Sequence, residues 1–376
     1  MKILLLVAGG RAGSDFFHGL LDNHSQILQF PGLLKVNNLE LIINSKTQRE
    51  VATNFIKAYP QYFNSKKEKF ERWNKLGVNR NKHFTVDKKK FINSYLLLSN
   101  SAKSNKVEIL INLHRAYSRA RNEDYKRKKI LFIHTHILSW TKIFIKIFNL
   151  KKFELIHTIR HPIASISSPI KTWLNFKNGY GFFPKDLFFQ LDLAVNCIND
   201  LKKINKVHII QLERLHKQNT EVMKDFCKKF KIKYEISLSK STKNGLKWWG
   251  DSASKRWISG VNKKFSIKIN ENYFYKRDLQ YIEYLASDII KTYGYKNLYP
   301  KKKIYFNFLP MKCEIMVWRN TIKHLFSYGF RWKHLLSIPI FYSLRLLLIN
   351  KFSIRINISK LEKYPKQTIK TYKSII

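Results

Sequence analysis

Four short, nearly continuous apolar runs punctuate the chain: KILLLVA (2–8), KKILFIHTH (128–136), FELIHTIR (153–160) and KVHIIQLE (206–213). Runs of this length, rich in Leu, Ile and Val, suit parallel strands covered on both faces. Between and after them, apolar residues recur at helical spacing. One such stretch starts near Ser14; others cover 107–121, 138–150, 187–204, 220–232 and 273–295. This alternation predicts an α/β fold, three-layered, with a central, mainly parallel β-sheet flanked by helices. Residues 33–105 are polar, basic and broken into helical fragments, so they read as an insertion between the first two strands. Residues 1–300 then form one α/β domain, and 301–376 a basic, aromatic extension.

In open parallel sheets, ligands bind beyond the carboxyl ends of the strands. The first run leads into GGRAGSDFFHGLLDNHSQI (9–27), a Gly-rich turn with one cation that opens an amphipathic helix. Gly10 and Gly13 permit φ angles closed to other residues and a close backbone approach. The N–H groups near Ser14 to Phe17 and the helix dipole favour an anion, and Arg11 adds a charged fork. The same stretch also fits a plain turn in which Ser14 or Asp15 caps the helix. It lacks the Gly-Lys-Ser/Thr ending of a nucleoside triphosphatase.

The other strand ends are polar too. The second run ends at His134 and His136, which strand alternation places on one face. The third ends at Arg160. Pro162 then fits the first turn of a new helix, with Ser165 and Ser168 about one turn apart. Arg160 and the Ser168 hydroxyl are a candidate pair for a second anion; a solvated arginine beside a helix start is the bland alternative. The fourth run ends at Glu213 and Arg214.

Composition narrows the field less than these motifs do. With 376 residues, 44% of them hydrophobic, the chain can bury a large core and is not of disordered type. The formal net charge of +46 suits an acidic partner. It is spread along the chain, however, with heavy use of Lys, Asn and Ile, as an AT-rich genome gives. Cys197, Cys227 and Cys313 are widely separated and odd in number, which points to buried thiols in a reducing, cytoplasmic setting. MKILLLVAGG is too short for a signal core or a membrane span.

Together the strand-end motifs resemble the sulfotransferases that use 3′-phosphoadenylyl sulfate (PAPS). GGRAGSDFFHGLLDNHSQI is similar to their 5′-phosphosulfate loop, IRHPIASISS to their 3′-phosphate motif, and ILFIHTHIL to the Lys-Thr-His-Leu stretch of one branch. IIQLERL resembles their strand-turn-helix usually written Tyr-Glu-Asp-Leu. The resemblance covers about residues 1–295 and implies a fold related to P-loop nucleotide kinases. It also implies that Arg11, Ala12, Gly13, Ser14, Asp15 and Phe16 hold the phosphosulfate, and Arg160 and Ser168 the 3′-phosphate. His136 becomes the base, Arg11 the group that stabilises the bridging oxygen, and Glu213 a structural residue. His134 stands where that branch has lysine and falls to the acceptor. Two packed strand-end histidines are the alternative for the HTH motif. Asp15 replaces a usual hydroxyl residue. Near an anion it must turn away, hold Arg11, or meet a ligand hydroxyl. PAPS is then the co-substrate, and no metal is required.

Two later segments carry further expectations. KNGLKWWGDSASKRWISGVNKK (243–264) looks like the late basic segment that closes the donor site, with Arg256 as its cation. Trp248 and Trp249 there either stack on ligand rings or belong to the core. The apolar segment 334–349 either lies in a membrane interface, as a peripheral contact, or packs as a helix. The expected activity is sulfuryl transfer to a hydroxyl or amine, with a glycan or lipid-linked glycan as the candidate acceptor. The rivals are a nucleotide or small-molecule kinase on the same fold and a basic nucleic-acid-binding protein. The kinase lacks its Gly-Lys-Ser/Thr ending, and the motifs leave nucleic acid out as a partner.

Overall fold

A computed structural model of the chain describes residues 1–99, 105–174, 182–201, 204, 206–252, 257–267, 269, 271–299, 308–328, 332–349 and 373–374. The four predicted strands form as β1 (Lys2–Ala8), β3 (Ile130–His136), β4 (Glu154–Ile159) and β5 (Val207–Gln211). A two-residue strand, β2 (Ile27–Leu28), was not evident from periodicity because it is too short to show any. Within this sheet the pairings are parallel, in the order β2-β3-β1-β4-β5, and Lys373–Ser374 adds beside β5.

Side-chain alternation explains the apolar runs. Ile3, Leu5 and Val7 of β1 enter one core with Leu131 and Ile133, covered by the helices Lys106–Ala120 and Leu138–Phe148. Leu4 and Leu6 enter a second core with Ile130, Phe132, Ile156 and Ile210. That face is covered by α1 (Ser14–Leu21) and the helix Asn219–Phe230, with Phe17 edge-on to both Phe132 and Phe226. Both faces are dry, so the sheet is the middle of three layers.

The insertion is better built than its polar composition suggests. Its helices Gln48–Ala58, Pro60–Phe63 and Lys88–Leu98, with Tyr59 between the first two, bury Phe55, Tyr59, Tyr62, Phe63, Phe91 and Tyr95 against the first core. Ring stacking orders this cluster, with Tyr59 on Tyr62 and Phe63 edge-on to Phe91. Thr47 accepts from Glu50 N, and Asn105 with Glu108 forms a full capping box, so the helix starts are fixed locally. The stretch 273–295, which reads as one helix, is two: Lys276–Leu285 and Ser287–Thr292, broken at Ala286.

Beyond residue 300, the helices Lys312–Tyr328 and Trp332–Ile349 pack against the helix Pro184–Leu201. Met311, Cys313 and Val317 join Ile163, Ile166 and Leu187 in a third core. Arg345 is buried there and forks onto both carboxylate oxygens of Glu314, at 3.0 and 2.9 Å. Leu336, Ile340 and Leu347 of the same helix face outward. Among the described residues, no helix is long and apolar enough to cross a membrane. Cys227 and Cys313 are free and buried; the Cys197 side chain lies outside the described residues.

His114 and His157 are buried, and loss of hydration pushes both rings down to about 3 from an ordinary 6.5. The folded value lies below the unfolded one, so stability is full above 6.5 and falls as pH drops towards 3. At pH 5 each ring costs about 2 kcal/mol. The thermal midpoint is expected to fall steadily between pH 7 and 5. A constant midpoint over that range would show that the two rings protonate freely in the folded chain.

Candidate functional site

The loop after β1 is shaped by contacts from β4 and β5. Gly9 N donates to Thr158 O at 3.0 Å, and Ser165 Oγ donates to Gly9 O at 2.9 Å. Gly13 has φ 77° and serves as the N-cap residue of α1, and no side chain caps the helix. Capping by Ser14 or Asp15 therefore does not form. A Cβ on Gly13 would lie 2.4 Å from Leu212 Cδ1, which presses on the loop from the end of β5. The first N–H groups of α1 have no intrahelical acceptor and no capping side chain. Ala12 and Ser14 are buried in the turn, and Phe16 stacks on His216, ring centroids 4.4 Å apart.

Two guanidiniums flank this helix start. Arg11 Nη2 donates to Asp251 Oδ2 at 3.0 Å, so Asp251, not Asp15, is its partner. Arg160 leaves the end of the neighbouring strand β4, about 4.8 Å across the sheet from β1. Its Nε is buried without a hydrogen-bond partner, and its Cζ lies 5.8 Å from the Phe265 ring centre. Burial holds this guanidinium below its usual range; Glu213 opposes that shift and Arg11 adds to it. Glu213 is buried, on the helix that follows β5. Its carboxylate accepts from His161 N at 2.9 Å and from Tyr295 Oη at 3.1 Å, which ties the β4 exit to the end of the domain. Ser168 is half-buried on the helix Pro162–Trp173, two turns on from Arg160.

His134 and His136 do come together, but not by simple alternation. The β1–β3 register slips between Leu6, opposite His134, and Val7, opposite His136. Thr135 is the extra residue of this bulge, donating to Leu6 O at 3.1 Å. His136 takes φ 73°, a left-handed backbone that a histidine rarely adopts. The rings end 5.5 Å apart. Asp15, 35% exposed at the side chain, points at them, its Oδ1 3.6 Å from His134 Nδ1. His134 is only 1% exposed, and burial lowers its ring to about 3. Burial lowers His136 as well. For Asp15, burial works upward, but the facing His134, Lys243, His136 and Arg11 outweigh it and hold the carboxyl below its usual range.

The late segment enters through a hairpin. β6 (Thr242–Lys243) and β7 (Leu246–Lys247) are joined by Asn244 and Gly245, both at positive φ. Asp22, at the end of α1, accepts from Thr242 Oγ1 at 2.7 Å and Gly245 N at 2.8 Å. Lys243 is thereby buried beside α1, its Nζ 3.4 Å from His18 Nδ1 and over the Trp248 ring. Trp248 belongs to the core, and its indole N–H donates to Glu71 O. Trp249 is half-buried and donates to Gly77 O. Both indole N–H groups thus fasten the hairpin segment to the insertion. Arg256 lies outside the described residues.

Solved structures similar to this chain include two sulfotransferase domains. One, the "Sulfotransferase Domain from the Curacin Biosynthetic Pathway", is 15% identical, with 88% of this chain and 99% of that chain covered and a TM-score of 0.35. The other, the "Sulfotransferase Domain from the Synechococcus PCC 7002 Olefin Synthase", is 12% identical, with 79% and 95% covered and a TM-score of 0.41. At that degree of superposition neither domain serves as a template for the site, which is read from its own residues. No protein-family model and no curated protein matches the chain.

Gly13 is the position where the loop tolerates least. Gly13→Ala adds a methyl against Leu212 and a strained φ, and is expected to cost about 1–3 kcal/mol in urea unfolding. Unchanged stability would mean that the loop can restart α1 without its left-handed residue.

Proposed function

We propose that the chain is a sulfotransferase that moves a sulfuryl group from PAPS to an acceptor hydroxyl or amine. The observation that carries this is the pair of cationic anchors at one sheet edge. An uncapped helix start with Arg11 follows β1, and the half-buried Arg160, its Nε buried and unpartnered, follows the adjacent β4. Two such anchors suit one small ligand with two separate anionic groups. A 3′,5′-bisphosphorylated nucleoside is such a ligand. The first anchor takes the phosphosulfate end; Arg160 and Ser168 take the 3′-phosphate.

In the proposed reaction, the acceptor oxygen or nitrogen forms a bond to sulfur while the bond from sulfur to the bridging phosphate oxygen breaks. The acceptor proton passes to His136. The new charge on the leaving bisphosphate falls on Arg11 and the first N–H groups of α1, fixed donors that need no rearrangement as charge develops. Asp251 must yield Arg11 when the donor enters, since one fork cannot serve both fully.

Calorimetry with 3′-phosphoadenosine 5′-phosphate, ATP-magnesium and a short DNA duplex tests this directly. The bisphosphate is expected to bind tightest, and a preference for ATP or DNA would overturn the proposal. Arg160→Ala should weaken the bisphosphate by about 10-fold or more while barely changing adenosine 5′-phosphate. Equal weakening of both ligands removes Arg160 from the 3′ site.

His136→Ala should leave bisphosphate affinity within about threefold and lower turnover by about 10²-fold or more. Turnover that survives the substitution takes the base role from His136.

A further inference from the structure

We propose that Asp15, His134 and His136 form a binding site for one divalent transition-metal ion of the Zn²⁺ or Co²⁺ class. One ligand atom from each lies within 4.8 Å of the other two. The Asp15 Oδ1 to His134 Nδ1 separation of 3.6 Å is too long for a hydrogen bond. It is close to the edge of a metal coordination shell, where ligands at about 2.0–2.1 Å from the ion stand roughly 3.3 Å apart.

The second observation is what the histidines lack. His134 is 1% exposed, yet neither Nδ1 nor Nε2 has a hydrogen-bond partner, and His136 Nδ1 is likewise buried and unpartnered. Buried imidazole nitrogens are costly to leave unmatched, and an ion in the triangle would take one from each ring. The bulge at Thr135 and the left-handed His136 backbone are the structural cost of turning both rings toward Asp15.

Ligand chemistry sets the class of ion. Two imidazoles and one carboxylate suit Zn²⁺, Co²⁺ or Fe²⁺, whereas Mg²⁺ and Ca²⁺ require mostly oxygen. Lys243 and Arg11 both face Asp15 and oppose any divalent cation, so binding has to come from imidazole coordination and not from net charge. Its one consequence for transfer rests on the sulfotransferase proposal: an ion on His136 takes the lone pair that the acceptor proton needs, so the loaded form is silent.

The test is metal binding itself. Chelator-stripped full-length protein is dialysed against Zn²⁺ or Co²⁺, with metal content measured by elemental analysis and Co²⁺ followed by its visible absorption. One equivalent per chain is expected, undisplaced by excess Mg²⁺. His134→Ala and Asp15→Asn should each weaken binding by about 10²-fold, and His83→Ala, an exposed histidine elsewhere, should not. Asp15→Asn is nearly isosteric and part-exposed, so it reports even if His134→Ala fails to fold. No saturable binding, displacement by Mg²⁺, or full binding by Asp15→Asn overturns the site. Bisphosphate binding to the metal-free protein is measured alongside. Its loss with metal binding intact sinks the donor proposal alone, and the reverse result sinks the metal site alone.

Discussion

The left-handed start of α1 at Gly13 is the constraint on which the rest of the site depends. A helix that begins this way, with no capping side chain, leaves its first N–H groups without an intrahelical acceptor. Such a start is stable only if neighbours hold the loop. Leu212 closes on Gly13 from β5, and Ser165 grips Gly9 O from the helix after β4. The parallel sheet brings these elements to one edge because β1 sits between β3 and β4. The apolar alternation of β1, buried on both faces, thus fixes where the loop with Arg11 and the start of α1 lies.

Around that helix start the charges are unequal. Arg11, Arg160 and Lys243 are cations in partly or fully buried positions, and Asp15 is the carboxylate that faces the histidines. Asp251 neutralises Arg11 and Glu213 moderates Arg160, while Asp15 is held ionised by Lys243 and Arg11. Asp15 therefore does not simply repel an anion at the loop. Its carboxylate faces the imidazole of His134, so its charge is offset there and by Lys243 and Arg11.

Much of the fold was legible from the sequence because the strands carry their own signal. Runs such as KILLLVA are apolar on both faces, and only a covered parallel strand uses that pattern. Arg11, Arg160, His134 and His136 were legible because strand ends can be counted. What escaped had no local signature. Alternation placed His134 and His136 on one face, whereas a bulge at Thr135 brings them together. Asp251 and Lys243 meet the loop from more than 200 residues away. The Asn244-Gly245 dipeptide is a hairpin signal that would have placed Lys243 beside a turn, though not beside α1. The insertion looked irregular because lysines and polar residues surround its aromatic residues, although Phe55, Tyr59, Tyr62 and Phe63, and again Phe91 and Tyr95, recur at helical spacing.

The large positive charge says less about function than a few buried cations do. Exposed lysines are screened over about 8–10 Å at ordinary salt, so most of the +46 acts as a diffuse field that raises encounter rates with anions of many kinds. Arg160 differs in kind. Its guanidinium is desolvated and its Nε unpartnered, so an anion placed there recovers hydrogen bonds that water does not supply. Selectivity must arise from such groups, because a diffuse field cannot distinguish a bisphosphate from a duplex. The geometry of two anchors one strand apart can.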